Sequence, residues 1–275
     1  MSALLRTSVA HPRRVGEHRN ERFRERSRPT ATRRARVVAG TQTVERIALE
    51  QVLAGLASDH EAGQAPGAGV CKACATVVGT TSAGIMFKIG DQHYGSLGSS
   101  DTRSAVIEEL QFTLGEGPCV DAYSSGRPVA EPDLMNPSTP RWPAFSQAVL
   151  ESGIRAVFAF PLRLGAIRLG ALDLQCELAG DLDVDQRKAA LVVADLVTNA
   201  LLDLQAAVPG GRLAPEFADA ETLRTEIHQA SGMISALLDI SIADALVRLR
   251  ARAYAEDRPI RDVAHDVVTR RLRIE

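Results

Sequence analysis

The stretch from Arg155 to Cys176 constrains the fold of this chain more than any other. It reads RAVFAFPLRL followed by GAIRLGALDLQC, two mainly apolar runs that meet at a glycine. The second run ends in alternating apolar and polar residues: Leu172, Asp173, Leu174, Gln175 and Cys176. Alternation with a period of two is typical of a β-strand. The stretch therefore predicts two antiparallel strands around a glycine turn, with Asp173 and Gln175 on the face opposite the leucines.

The segments around this hairpin complete an α+β pattern. Residues 83–89 and 93–98 predict a second hairpin around a Gly-Asp turn. Periodic apolar residues predict helices at 44–56, 68–78, 102–113, a short one from Pro118, then 143–152 and 184–205. On the 102–113 helix, one side is expected to be apolar, with Val106, Ile107, Leu110 and Leu114 on it. An antiparallel sheet flanked by helices predicts an α+β sensor-like domain at residues 42–205.

Beyond residue 205 the chain predicts only helix. Residues 206–215, AAVPGGRLAP, contain two prolines and two glycines and are predicted to be a linker. Three apolar stripes at helical spacing follow. They are Leu223, Ile227, Ala230, Ile234 and Leu237; Ile242, Ala245, Leu246, Leu249 and Ala253; and Ile260, Val263, Ala264, Val267, Val268 and Leu272. Ser241 is a predicted N-cap of the second helix. Residues 216–273 therefore predict a small three-helix bundle.

Charge is distributed unevenly along the chain. The net charge is -2, yet residues 1–36 hold 11 arginines against three glutamates. Residues 1–40 lack a sustained apolar period, so they predict a disordered Arg-rich tail, with a basic arm that touches nucleic acid as the alternative. A translation start assigned upstream of the true one would also produce such a tail.

The apolar stretches do not predict a membrane protein. Charged residues and Pro161 interrupt the run from Ile154 to Gln175, and no signal-peptide core follows the N-terminal arginines. We expect a cytosolic protein without membrane association, whose four cysteines remain thiols.

Two segments resemble known families. LQFTLGEGPCVDA, the RWPAF loop and RAVFAFPLRLGAIRLGALDLQ resemble the GAF domains of actinobacterial GAF-ANTAR regulators. IHQASGMISALLDISIADALVRLRARAYAEDRPIRDVAHDVV resembles an ANTAR domain, an RNA-binding antiterminator module. The positions that match the ANTAR pattern are Ala230, Gly232, Ala245, Leu249, Arg250, Ala253, Arg258, Val263 and Ala264. Ser231 stands where that family often has lysine, which argues against RNA contact at the first helix.

The resemblance implies a signal-responsive transcription antiterminator. In that family the three-helix module binds paired hairpins in a nascent transcript, generally as a homodimer, and the GAF domain receives a small-molecule or redox input. The acidic pocket of a phosphorylated receiver domain is not visible, nor is the signature of cyclic-nucleotide-binding GAF domains. The ligand of the GAF domain is therefore not predicted. The helix at 184–205 is a predicted dimer seam through Leu191, Ala194, Leu196, Leu201 and Leu202.

An arginine-rich helix carries the candidate RNA contacts. A helical projection places Arg250, Tyr254 and Val247 on one flank of the core stripe. A guanidinium can bind phosphate or a base edge while a tyrosine ring stacks on a base. With Arg258 and Arg261 at the following turn, these residues form the predicted RNA-binding site. The region from Glu216 onward is nevertheless -2 overall, so arginines on a solvated face remain the alternative.

Small residues in the C-terminal helices are predicted to pack the bundle. Gly232 is expected to allow a close approach between helices, and the alanines are expected to serve the same purpose. The residues assigned to packing are Ala230, Gly232, Ala245, Leu249, Ala253, Val263 and Ala264.

The cysteines suggest a sensor more than a metal site. Cys71 and Cys74 lack a second ligand pair, so no metal is predicted. Cys119 follows Pro118 at a helix start, where the dipole is expected to lower the pKa of its thiol. It is therefore a candidate redox sensor, with a buried packing residue as the alternative.

No catalytic signature is present, so we do not expect an enzyme. A DNA-binding regulator, a redox sensor and a purely structural GAF domain remain competing functions.

Overall fold

The computed structural model describes residues 46–52, 54–55, 67–89, 93–206, 218–256 and 258–274. All of them belong to one unit, Thr43–Glu275. The Arg-rich tail, residues 207–215 of the linker and the Gly-Asp turn at 90–91 lie outside the described residues. Residues 46–52 are helical, as expected from the sequence.

Five antiparallel strands form the sheet of the N-terminal domain. They are β1 (Ser82–Ile89), β2 (His93–Ser99), β3 (Val129–Glu131), β4 (Ala156–Leu164) and β5 (Ile167–Cys176), in the order β2-β1-β5-β4-β3. The predicted hairpin is β4–β5, which turns at Gly165, where φ is +59°. Strand β1 lies on the other side of β5, with Ser82 opposite Gln175.

Helices α1 (Ala68–Val78) and α5 (Val184–Ala206) cover one face of the sheet. Their apolar stripes pack on the leucines and phenylalanines of the central strands, including Leu172, Leu174 and Phe158. Ala194 and Leu201, expected at an exposed dimer seam, are buried in this core, whereas Leu191 is exposed. Leu196 and Leu202 are half-buried. The surface available for the predicted seam is therefore narrower than expected, because the same helix face also covers the sheet.

Helices α2 (Thr102–Leu114), α3 (Pro118–Ser125) and α4 (Pro143–Glu151) cover the opposite face. A capping box at Asp101 and Ser104 starts α2, and Gly115 ends it in a left-handed conformation with φ of +68°. Ile107 is fully buried, but Val106 is 49% exposed, so the predicted apolar side of this helix is too wide.

Helices α6 (Ala218–Leu238), α7 (Ile242–Ala255) and α8 (Ile260–Val268) form the C-terminal region. Their buried core contains Ile227, Ile234, Leu249, Ile260 and Val263. Leu237 and Ile242, both expected in the core, are exposed at the turn between α6 and α7. The oxygen of Ser241 accepts a hydrogen bond from the Asp244 amide at 3.0 Å, which is the predicted N-cap.

The predicted α+β class is confirmed by the flanked antiparallel sheet and the C-terminal helices. Across the described ranges, no single helix is both long and apolar enough to cross a membrane. The pair Thr225–Leu238 and Ile242–Ala255 meets the length and composition criteria only when its two helices are combined, and it is bent by 110°.

Candidate functional site

A cluster of buried polar side chains lies between the sheet and helices α2 and α3. Asp173 projects from β5 opposite the leucines, as the alternation predicted, but it is fully buried because α2 and α3 cover that face. The Gln111 side-chain amide donates to Asp173 Oδ2 at 2.8 Å, and Gln111 Oε1 accepts from the Cys119 backbone N–H at 2.8 Å. Gln111 thus joins a carboxyl on the sheet to the first turn of α3.

Burial changes the chemistry of the Asp173 carboxyl. It raises the pKa of Asp173 to about 7, against the opposing effects of the Gln175 and Gln111 amides and the Cys119 thiol. Among the described residues, Asp173 Oδ1 and Gln175 Nε2 make no hydrogen bond of normal geometry, although the Gln175 amide lies close enough to the carboxyl to lower its pKa. A buried polar atom without a partner costs free energy. Protonation or deprotonation of Asp173 would therefore change the free energy of the fold.

A second carboxyl extends the cluster along α2. Glu108 Oε2 accepts hydrogen bonds from the hydroxyls of Ser96 and Ser99 on strand β2. Its carboxyl lies over Gly84 of β1, where an added Cβ would clash with Glu108 Oε1. The Ser82 hydroxyl donates to Gln175 Oε1 at 2.6 Å on the same face of the sheet. Sequence reasoning assigned no role to these residues, although polar residues inside apolar strands were the available signal.

The expectation for the pKa of Cys119 is wrong. Cys119 opens α3 as predicted but is completely buried, and that burial, with the nearby Asp173 and Glu108 charges, raises the pKa of its thiol well above the usual value. Desolvation of a thiolate outweighs the favourable helix N-terminus here. Cys71 and Cys74 are also buried, and burial raises the pKa of Cys74 to about 12. No group of side chains able to hold a metal ion occurs among the described residues.

The predicted RNA contact Arg250 faces the GAF-like domain. Its Nε atom donates to the Phe112 carbonyl of α2 at 3.1 Å, and its guanidinium carbon lies 5.8 Å from the centre of the Phe112 ring. The phenylalanine is buried together with the core residues of the C-terminal helices. No local sequence pattern indicates this contact, since it joins residues 138 positions apart.

The other predicted contacts lie on the side of α7 and α8 that faces α2 and α4 across a groove. Tyr254 is 64% exposed, beside the equally accessible Val247 on the predicted flank. Arg258 forms ion pairs with Glu256 at 3.0 Å and with Asp266 at 2.6 Å. The Arg261 side chain is 60% exposed, with Asp262 3.5 Å away. The structure thus brings Tyr254, Arg258 and Arg261 together, and Arg250 lies beside Tyr254 in an adjoining pocket next to Gly115.

The residues assigned to bundle packing lie in the C-terminal core, with one departure. Fully buried are Ala230, Ala245, Leu249, Ala253, Val263 and Ala264. The close helix approach expected at Gly232 is not present, since an added Cβ would meet no atom within 4 Å. Gly232 lies on the half-exposed side of α6, where no neighbouring helix crosses close to its backbone.

A groove separates the two helical layers beside these residues. It has a volume of about 780 Å³ and runs between α2 and α4 on one side and α7 and α8 on the other. Val106, Leu110 and Leu114 supply apolar surface, and Tyr254, Arg258 and Arg261 line the opposite wall. Its volume lies within the range of about 300–1,000 Å³ that small-molecule sites have.

Comparison with known proteins identifies the N-terminal domain. The GAF domain family matches residues 68–201. No curated protein matches the chain. Similar solved structures include the GAF domain of a phosphoenolpyruvate-protein phosphotransferase from Coxiella burnetii, with 13% identity over 57% of this chain and 96% of that chain and a TM-score of 0.41.

Two further solved structures are similar at comparable levels. A domain of a two-component sensor histidine kinase from Sinorhizobium meliloti has 12% identity over 50% of this chain and 88% of that chain, with a TM-score of 0.42. Free methionine-R-sulfoxide reductase from Neisseria meningitidis, in complex with its substrate, has 17% identity over 61% of this chain and 89% of that chain, with a TM-score of 0.37. At these identities no residue role is transferred from them.

Proposed function

Because residues 68–201 form a GAF domain, a sensor domain of signalling proteins, we propose that this chain is a signal-responsive transcription antiterminator. The GAF domain receives the signal, and the C-terminal helices, which resemble an ANTAR domain, bind hairpin RNA. The proposed role is regulatory and involves no catalysis.

One observation carries the proposal: Tyr254, Arg258 and Arg261 line the same groove, although they come from two helices and the turn between them. An exposed tyrosine ring next to guanidinium groups suits an unpaired loop base beside its phosphate. Direct pairing of Arg258 with two carboxylates makes Arg261 and Tyr254 the more available contacts.

The proposed input acts at the buried cluster around Asp173. A small polar ligand or a proton there would alter the hydrogen bonds that Gln111 makes to Asp173 and Cys119. Oxidation of Cys119 would first require the GAF domain to open, because the thiol is buried and protonated. The proposed homodimer would use the exposed part of α5 around Leu191.

A mobility-shift titration with paired-hairpin RNA tests the function. Tyr254→Ala and Arg261→Ala should each weaken binding about tenfold, since each removes a contact of about 1–2 kcal/mol. Arg127→Ala is the matched control, because it removes one exposed positive charge from the GAF domain. Affinity should also fall as salt rises. Equal binding by all of these proteins would rule out the assigned site.

A DNA-binding regulator is the second candidate function. Helices Thr225–Leu238 and Ile242–Ala255 meet at 110° across a three-residue turn, which is within the geometry of a helix-turn-helix. Helix α7 would then be the recognition helix. Titration with duplex DNA and hairpin RNA at one salt concentration separates the candidates, because tighter binding to a duplex would favour DNA.

A further inference from the structure

Arg250 acts as a C-terminal cap for a helix of the other domain. The last four carbonyls of an α-helix have no partner within the helix. In α2 the Gly115 N–H binds the Gln111 carbonyl, and Arg250 Nε supplies a donor to the Phe112 carbonyl at 3.1 Å. A cation is also favoured at the negative end of the helix dipole. The guanidinium is therefore held by hydrogen bonding and by charge.

Phe112 completes the same contact with apolar packing. Its side chain is 4% exposed and lies in the core formed by Ile227, Leu249 and other residues of the C-terminal helices. A residue of the GAF domain thus packs into the apolar core of the C-terminal helices. Burial of the phenylalanine ring stabilises this arrangement through the hydrophobic effect.

Both the backbone conformation at position 115 and the nearby Arg250 side chain favour glycine there. Its φ of +68° favours glycine, and an added Cβ would lie only 2.8 Å from Arg250 Nη1. Gly126 ends α3 with an almost identical φ of +66°, but there an added Cβ would lie at an ordinary 3.5 Å from Arg168 Nε. An added methyl group would therefore displace Arg250 at position 115, whereas at position 126 it would make only an ordinary contact with Arg168.

We propose that the docking of Arg250 and Phe112 at the end of α2 is an autoinhibitory contact that withholds Arg250 from RNA. Arg250 already lies beside Val247 and Tyr254 in a pocket next to Gly115. Release of the contact separates its guanidinium from the Phe112 carbonyl and makes it available on this flank of α7. The inference rests on the proposed RNA-binding function and names how that function is regulated.

The position of the contact links it to the interior of the GAF domain. Gln111, next to Phe112, holds Asp173 and the Cys119 backbone N–H, both at 2.8 Å. The same turn of α2 therefore faces the buried cluster on one side and the C-terminal helices on the other. Rearrangement of the cluster would shift the Phe112 carbonyl to which Arg250 is bound.

The experiment compares Gly115→Ala with Gly126→Ala in the full chain. Hydrogen–deuterium exchange of residues 242–255 reports whether α7 is docked, and a mobility shift with paired-hairpin RNA reports binding. Gly115→Ala should speed exchange in α7 and raise RNA affinity about fivefold or more, a common size for coupling between sites. Gly126→Ala carries the same backbone strain and should change neither quantity. Phe112→Leu should act in the same direction as Gly115→Ala, while keeping the position apolar.

Addition of Arg250→Ala to Gly115→Ala identifies the residue that is released. The gain in affinity should disappear in the double variant, because the arginine itself makes the new contact. Faster exchange without a gain in affinity would overturn autoinhibition and leave the contact as structural. Unchanged exchange in both Gly115→Ala and Phe112→Leu would overturn docking control. Faster exchange in a protein that never binds hairpin RNA would instead refute the proposed function, and with it the withholding of Arg250 from RNA.

Discussion

The GAF domain buries many more polar side chains than the described C-terminal helices do. The GAF domain buries Ser82, Ser104, Glu108, Gln111, Glu131, Asp173, Gln175 and Thr198. In the described part of the C-terminal helices, Ser231 is the buried polar residue, and the core otherwise consists of small and branched apolar side chains. Burial of polar groups costs stability unless they are fully paired. The GAF domain therefore contains buried polar and titratable groups, whereas most polar side chains of the described C-terminal helices lie at their surface.

The largest expected effects come from truncating a leucine in each apolar core. Leu249 in the C-terminal region and Leu172 in the GAF domain are both fully buried, so Leu→Ala at either position should cost about 2–5 kcal/mol. Leu249→Ala should open the C-terminal helices and leave the GAF domain folded, because their cores are distinct apart from Phe112. Urea denaturation followed by peptide-resolved hydrogen exchange measures both effects.

In each leucine variant, the region that does not contain the substitution serves as the internal control. Leu249→Ala should leave protection of β4 and β5 unchanged, and Leu172→Ala should lower it. Simultaneous loss of protection throughout the chain in Leu249→Ala would show that the two regions unfold as one unit.

The next prediction concerns the polar interior itself. Burial raises the pKa of Asp173 from 3.8 to about 7, so between these pH values the folded state holds a proton that the unfolded state has released. Stability therefore falls as pH rises from about 4 to about 7 and levels off above that range, with a total change of at most about 4 kcal/mol for this group. Asp173→Asn should flatten this dependence and give its greatest stabilisation, relative to the unaltered chain, above pH 7. Urea midpoints between pH 4 and 8 measure it.

Asp195→Asn is the matched control, since it neutralises an exposed carboxylate on α5. It should keep the pH dependence of the unaltered chain. If Asp173→Asn gave the same slope as this control, the buried carboxyl would not set the response to pH.

Local chemistry explains how much of this arrangement the sequence could reveal. The hairpin β4–β5 and the N-cap at Ser241 follow from alternation, a glycine turn and a hydroxyl placed before an apolar period. These signals act over a few residues, so they are readable without the fold. The open space at Gly232 and the exposure of Val106 depend on where neighbouring helices cross, which periodicity does not specify.

The same distinction between local and long-range signals applies to the candidate site. Arg250 and Tyr254 could be placed on one flank of α7, because helical geometry fixes their relative directions. The destination of Arg250 could not be predicted, since its partner carbonyl at Phe112 lies 138 residues away. Cys119 could be placed at a helix start, but its pKa depends on burial by other segments, which reversed the expected direction.

Helix caps should give an intermediate and matched effect in the two regions. Asp101 accepts from the Ser104 amide at 2.8 Å to cap α2, and Ser241 caps α7 in the same way. Alanine at either position should cost about 1 kcal/mol in urea denaturation, since one helix-end donor loses its acceptor. A cost several times larger at Asp101 alone would show that the start of α2 also supports the buried Glu108 cluster.

The smallest expected effects lie on the surface, where the two regions should be alike. Arg252 pairs with Glu256 one turn along α7 at 2.6 Å, and Lys188 pairs with Asp185 on α5 at 2.9 Å. Exposed pairs at this spacing contribute about 0.3–0.5 kcal/mol, because water and salt screen them and both side chains lose freedom. Arg252→Gln and Lys188→Gln should therefore each lower stability by less than the cap variants, and 1 M NaCl should reduce the difference from the unaltered chain. A loss at Arg252 that survives high salt would mean that this side of α7 is held by more than an exposed ion pair, and the surfaces of the two regions would then differ.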